Sequence, residues 1–324
     1  MTTGIVISTY GDAKQLVPTT ISVGAPGEGQ VRLRHTGVAV NFHDVYVRSG
    51  LYKTLALPGI PGVEASGVVD SVGAGVTGFR VGDRVGYVDN TYGAYAEARL
   101  IAADKLIKVP SDISDEIVAS SLMKGLTTYM LLAKLRPVKS GDTILVHSAA
   151  GGVGQLLSKW AKHLGATVIG TVGSKAKAEI ATKRGCDHAI VRGDDDFVAR
   201  VATLTNGRGV DVAYDSIGKD TLDGSIQTLT MRGHLINFGQ SSGAVTDFVP
   251  SKLATKSNAL WRPIVFHYLI DPKERQDMAD HLFAAISKGA LTIEKANTFA
   301  LADAAKAHEL LESGKSTGAI VMLP

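Results

Sequence analysis

Cysteine is nearly absent: Cys186 is the one thiol among 324 residues. An intramolecular disulfide is therefore impossible, and a reducing, cytoplasmic setting is the expectation. Long apolar runs are missing as well; none approaches the roughly 18 residues that a membrane-spanning helix needs. The opening MTTGIVISTYGDAK has neither the basic start nor the extended apolar stretch of a secretory signal. Excess charge is scarce: 34 Lys and Arg stand against 31 Asp and Glu, a net charge of +3, so nucleic acid is not the expected main partner. Repeats at solenoid spacing and low-complexity tracts are also lacking.

What is present is enough apolar residue, 45%, to bury a large core, over a length that suits two domains. The first third is rich in β-type runs and glycine turns. GIVIS, VRLRHTGVAV and VEASGVVDSV read as strands, and FRVGDRVGYV reads as two strand pieces joined at Gly82-Asp83. This β-rich region runs to LIKVP. The rhythm then changes. DTILVHSA is a short apolar strand, and Val153, Leu156, Leu157, Trp160, Ala161 and Leu164 follow at helical spacing, with Gly165 as the stop. TVIGTV, HAIV, VDVAYDSI and HLINFG continue as strands between helical segments, with HLINFG the last expected in the parallel sheet. The helical segments ERQDMADHLFAAISKG and ADAAKAHELLESG come later, before a closing strand GAIVMLP. Returning them to the first region makes that domain discontinuous.

Gly151, Gly152 and Gly154 lie between the first strand of the alternating half and its helix. Aligned on G-x-G-x-x-G, the three positions are Ala149, Gly151 and Gly154. The middle one lets backbone approach a pyrophosphate, and the last allows close helix–strand contact. The helix that starts near Gly152 aims its N–H groups and positive dipole end at phosphates. A tight turn alone explains the glycines, but strand, helix and second strand are all in place, which favours a dinucleotide. An NAD site places Asp or Glu about 20 residues on, at the end of the second strand, to hold the ribose 2′-hydroxyl. Here that point reads VGSKAK, with no carboxylate before Glu179. Ser174, Lys175 and Lys177 suit a 2′-phosphate. Lysines there oppose the helix dipole, so mere surface decoration explains them poorly. Arg192, after the next strand, suits the same phosphate, and the cofactor expected is NADPH.

The segments AAGGVG, GLTTYMLL, NFHDVYVRSGLY, PGVEASGVV and VAYDSIG together resemble the zinc-free quinone oxidoreductases related to zeta-crystallin, within the medium-chain dehydrogenase/reductase superfamily. The resemblance spans essentially the whole chain. It implies an α/β protein: a Rossmann doubly wound parallel sheet plus a GroES-like β-rich catalytic domain, and often a homodimer. The boundaries expected are 1–125 with 264–324 for the GroES-like part and 126–263 for the Rossmann, NADPH-binding part. It also implies site residues. Asn41, Tyr46 and Tyr52 lie near the nicotinamide, and Thr127 faces the cofactor. Gly152 and Val153 cover the pyrophosphate, while Gly173, Ser174 and Lys177 hold the adenosine phosphate. Ser216, Phe238, Gly239 and Ser241 meet the nicotinamide half, and Phe266 makes a further cofactor contact. The family commonly has Tyr where this chain has Arg192; an arginine there still suits a phosphate.

Zinc-dependent relatives need Cys, His and acidic ligands in the first domain. Here Val63 precedes Glu64 where those enzymes have His, no Cys-x-x-Cys pair exists, and His43 and His147 lack ligand company. Zinc is therefore not expected, and hydrogen-bonded structural roles are the expectation for these histidines. Reducing a simple ketone builds alkoxide charge that needs an acid or Lewis acid. A quinone or conjugated enone is a stronger acceptor with a delocalised product anion, so positioning and a few hydrogen bonds suffice. Asn41, Tyr46 and Tyr52 can supply them; equally, FHDVYVRSGLY reads as an ordinary loop whose tyrosines pack between domains. VHSAAG is not G-x-S-x-G, so a hydrolase elbow at Ser148 is not supported. Asp194 to Asp196 read as a helix N-terminus. The expected activity is NADPH-dependent quinone reduction. Alternatives are an enone or alkenal double-bond reductase on the same fold, or a non-catalytic NADPH-binding, RNA-binding or lens-type role.

Overall fold

The computed structural model describes residues 1–324, which divide into two compact units: Met1–Leu126 with Phe266–Pro324, and Thr127–Val265. The first unit opens with strands β1 (Thr2–Val6), β2 (Val17–Ile21) and β3 (Gln30–Ala39), helix α1 (Phe42–Ser49), strands β4 (Glu64–Val72), β5 (Arg84–Val88), β6 (Ala98–Ala102) and β7 (Ile107–Lys108), and helix α2 (Asp115–Tyr129). The unit boundary falls inside α2. The second unit carries β8 (Thr143–His147), α3 (Gly152–His163), β9 (Thr167–Val172), α4 (Lys175–Lys183), β10 (His188–Val191), α5 (Phe197–Leu204), β11 (Val210–Asp215), α6 (Leu222–Thr228), β12 (Leu229–Asn237) and β13 (Ala259–Trp261). The chain then returns through α7 (Pro272–Ser287), β14 (Asn297–Ala300), α8 (Ala304–Glu312) and β15 (Ile320–Leu323).

In the first unit a seven-stranded sheet runs β14-β15-β3-β4-β5-β7, with β6 also paired to β3. β15 pairs antiparallel with β3, Val321 opposite Ala39, so the last strand joins a sheet that begins at Gln30. Val31, Leu33 and His35 alternate inward along β3, as a strand of period two requires. Val31 and Leu33 meet Ile5, Ile7, Tyr87, Tyr95 and Met322 in one core, and His35 lies 2.9 Å from the Tyr87 hydroxyl. FRVGDRVGYV does not give two strands. Only Arg84–Val88 is extended, because Gly82 adopts φ +91° and Asp83 caps the turn by accepting from the Arg80 N–H at 2.9 Å.

In the second unit six parallel strands run β10-β9-β8-β11-β12-β13. The strand order reverses between β8 and β11, which is where ligands bind in open α/β sheets. β8 and β9 are buried almost throughout, as strands covered on both faces are. HLINFG is not the last parallel strand: Ala259–Trp261 adds β13 beyond β12. Its three residues are too short to show a period in the sequence.

Candidate functional site

The carboxyl ends of the parallel strands gather most of the expected cofactor residues. After β8 the chain turns through Ser148, at φ +53°, into α3. A Cβ added to Gly154 would collide with the Ser148 carbonyl oxygen, so only glycine lets the helix start this close to the strand. The N-cap of α3 is Gly151, and no side chain caps it. The first intrahelical bond runs from the Gln155 N–H to the Gly151 carbonyl at 2.9 Å, which leaves the amides of Gly152, Val153 and Gly154 in the helix's open first turn. After β9, Gly173 and Ser174 are exposed, Ser174 caps α4 by accepting from the Lys177 N–H at 3.4 Å, and Lys177 is half-buried. After β10, the Arg192 N–H donates to the Val172 carbonyl at 2.8 Å, so the loops after β9 and β10 touch. Nε of Arg192 is buried with no hydrogen-bond partner.

After β11 and β12 the loops are locked together. Asp215, fully buried, accepts from the Ile217 N–H at 2.8 Å, the Gly218 N–H at 3.0 Å and the hydroxyls of Thr221 and Ser225. This holds Ser216 in place. A Cβ on Gly239 would lie 2.6 Å from the Ser216 carbonyl oxygen, and the Ser241 N–H donates to that oxygen at 3.3 Å. Phe238 is half-buried beside them. Beneath these loops His147 bridges Thr171 at 2.8 Å and Ser225 at 2.9 Å, and burial lowers its pKa to about 4. It is a neutral connector. Asp196 caps α5, accepting from the Val198 N–H at 2.9 Å. An open helix N-terminus, a glycine cradle and an orphaned buried guanidinium N–H fit a phosphate-bearing dinucleotide.

In the first unit FHDVYVRS is a helix rather than a loop. Asp44, at its third position, accepts from the Asn41 N–H at 2.9 Å, and Gly50 closes the helix at φ +82°. The Asn-x-x-Asp spacing was the readable signal for that cap. Asn41 itself is almost buried, and its amide is held at both ends. Its Nδ2 donates to Glu64 at 2.8 Å, and its Oδ1 accepts from the Lys124 ammonium at 3.2 Å. Glu64 also accepts from the Met123 N–H at 2.8 Å. Burial pushes the Glu64 carboxyl up, while the Lys124 charge pulls it down.

Rings from α1 and the segment after it form an aromatic cluster with Phe266. Tyr46 and Tyr52 meet edge to face at 5.2 Å, and the Tyr52 N–H donates to the Tyr46 carbonyl at 2.9 Å. His43 lies 5.7 Å from Tyr52 and 5.2 Å from Phe266. Phe266, from a 3₁₀ turn after the Rossmann half, thus joins a cluster begun at residue 43. Burial lowers the His43 pKa to about 4, so it is neutral near pH 7. A second polar chain runs from the same helix. Tyr95 bonds Asp44 at 3.1 Å and His308 at 2.8 Å, and Arg48 lies 3.4 Å from His308 and pairs with Glu312 at 2.7 Å. Thr127 is half-buried near the end of α2. Sequence reasoning missed Glu64 as a partner of Asn41, and Lys124 and Asp44 altogether; only the Asn-x-x-Asp spacing hinted at one of them.

Residues 27–111 match the family described as alcohol dehydrogenase GroES-like domain, and 152–288 that described as zinc-binding dehydrogenase. A quinone oxidoreductase of Pseudomonas aeruginosa is 41% identical, over 99% of this chain and 99% of that protein. The chain belongs to the quinone oxidoreductase family of the medium-chain dehydrogenase/reductase superfamily. Its members are oxidoreductases, and so is this chain. A 2-haloacrylate reductase from a Burkholderia species is 43% identical over 100% of this chain and 99% of its own length. The structure of the Escherichia coli quinone oxidoreductase complexed with NADPH superposes with a TM-score of 0.97, at 39% identity over 99% of this chain and 100% of that one. Although one family description mentions zinc, no group of three or more His, Cys, Asp or Glu is placed to hold a metal ion. No helix is long and apolar enough to cross a membrane.

Proposed function

We propose that this oxidoreductase uses NADPH to reduce quinones, without a metal ion. The observation that carries the cofactor choice is the end of β9: Ser174 and Lys177 stand there in place of an acid, and Arg192 beside them has a buried N–H without a partner. A 2′-phosphate would satisfy it. The amides at the start of α3 suit the pyrophosphate, and the joined loops at Ser216, Phe238, Gly239 and Ser241 suit the nicotinamide half. Bound NADPH supplies the hydride. Asn41, held by Glu64 and Lys124, keeps its amide in one orientation, and Tyr46 and Tyr52, whose rings meet edge to face, are proposed to line the substrate position with it. Thr127 and Phe266 are further proposed contacts. The relative named for 2-haloacrylate reduction makes conjugated double bonds the second substrate class to examine.

The same reading has the protein working in the cytoplasm as a homodimer. β13 ends its sheet without a further strand, and Trp261 there is 40% exposed, an edge that pairing would cover. The deciding experiment is an NADPH-oxidation screen over ortho-quinones, para-quinones and enones, with NADH alongside. Turnover of quinones with NADPH preferred is the expected result. Tight NADPH binding without turnover of any of them would leave a non-catalytic role.

A further inference from the structure

Hydride transfer to a conjugated carbonyl leaves an anion that must be stabilised and then protonated. Near Asn41 the structure offers two nitrogen bases. His43 stands among Tyr52, Tyr92 and Phe266, and burial lowers its pKa to about 4, so near pH 7 it has no proton to give. Lys124 is different. It is half-buried on α2, its ammonium lies 3.2 Å from Asn41 Oδ1, and the fully buried Glu64 on β4 holds the other end of that amide at 2.8 Å. Asp44 on α1 accepts from the Asn41 N–H at 2.9 Å. The Asn41 amide, tied at its other end to Glu64, fixes the position of that ammonium.

We infer, building on the reductase reading, that Lys124 is a further catalytic residue, whose ammonium stabilises the product oxyanion and donates a proton to it, with Glu64 as a positioning residue acting through Asn41. The atoms balance simply. The hydride brings two electrons and one proton's nucleus to the quinone, giving the hydroquinone monoanion. A Lys124 N–H bond then breaks as the second O–H bond forms, and the neutral amine regains its proton from water. For an enone the same proton on the enolate oxygen gives the enol, which then tautomerises in water to the saturated carbonyl compound, its O–H proton lost as a C–H bond forms.

The test compares wild type with Lys124→Met and Lys124→Gln, using phenanthrenequinone and methyl vinyl ketone as substrates. Melting temperature and NADPH affinity are measured alongside, and para-nitrophenol serves as a spectroscopic probe of the oxyanion position. The defect should grow with the basicity of the product anion: roughly a hundredfold in kcat with the enone and about tenfold or less with the quinone. NADPH affinity should change by less than about threefold. Wild type should bind para-nitrophenol as the phenolate, and both variants should lose that absorbance. Equal losses on both substrates with the phenolate signal intact would reduce Lys124 to a structural role and overturn the assignment. Variants as active as wild type would overturn it too. A wild type inert toward every quinone and enone would instead overturn the reductase reading, and this role with it.

Discussion

In the unit Thr127–Val265, the candidate residues from Gly152 to Ser241 lie in loops or first helical turns that follow parallel strands. In the other unit, Asn41, Glu64 and Lys124 come from three separate segments and meet through side chains, and Phe266 from a fourth reaches His43. The first arrangement works through backbone: glycines, open helix ends and loops tied to one buried carboxylate. The second works through amide, ion and ring contacts. Each should therefore fail in its own way, and the differences can be measured.

The largest effect is expected at Asp215, which serves two backbone amides and two hydroxyls from a fully buried place. Asp215→Ala strands those donors, at a cost of about 3–5 kcal/mol in denaturant unfolding. NADPH affinity should fall with it, since Ser216 and Gly239 lose their support. A variant as stable as wild type would remove the backbone-locking account of this unit.

Next comes acidity, which sharpens the contrast in the other unit. Burial raises Asp44 to about 7 and lowers His308 to about 3, and Tyr95 bonds both. Below about pH 7 the folded chain binds a proton at Asp44 that the unfolded chain does not, so Asp44 adds stability as pH falls toward 4. His308 acts oppositely. The unfolded chain protonates it below about 6.5 and the folded chain does not, so its stability is lost as pH falls toward 3. His35, His43 and His147, each lowered to about 4, push the same way as His308. Between about pH 7.5 and about pH 4.5, Asp44→Asn should steepen the acid loss and His308→Gln should lessen it, each on the order of 3 kcal/mol. Melting temperatures at the two pH values decide this; parallel slopes in all three proteins would refute it.

A smaller effect falls on one cofactor group. Lys177→Ala should weaken NADPH by about ten- to a hundredfold, from a charged contact worth roughly 1.5–3 kcal/mol, and leave NADH nearly unchanged. Arg192→Ala should act in the same direction, and salt should shrink both effects. Equal losses for the two cofactors would mean that these residues support the fold. The smallest effect expected is none: exhaustive chelation should leave quinone turnover unchanged. One tightly held zinc per chain, with activity lost on its removal, would contradict the metal-free reading.

How much of this was legible depends on how local the signal is. Val153, Leu156, Leu157, Trp160 and Ala161 announce α3 because a helix repeats its buried face every three to four residues. The missing acid after TVIGTV was readable because strand length fixes where the second strand ends. β13 was not, since three residues carry no period. In FHDVYVRS the helix signal is short, eight residues whose start rests on one cap, Asn41 with Asp44.

By itself the amino-acid sequence determined the alternating strands and helices, the glycine turn and the cationic substitute for the acid. Each of these is set by neighbours within one or two turns of chain. Only the tertiary structure decided that Lys124 meets Asn41 across 83 positions, that Glu64 takes the other end of the same amide, and that Tyr95 joins Asp44 to His308. Side-chain hydrogen bonds between segments far apart in sequence have no period to betray them. They exist because the β3–β4 pairing and the return of β15 bring those backbones together, and burial then makes each polar atom find a partner.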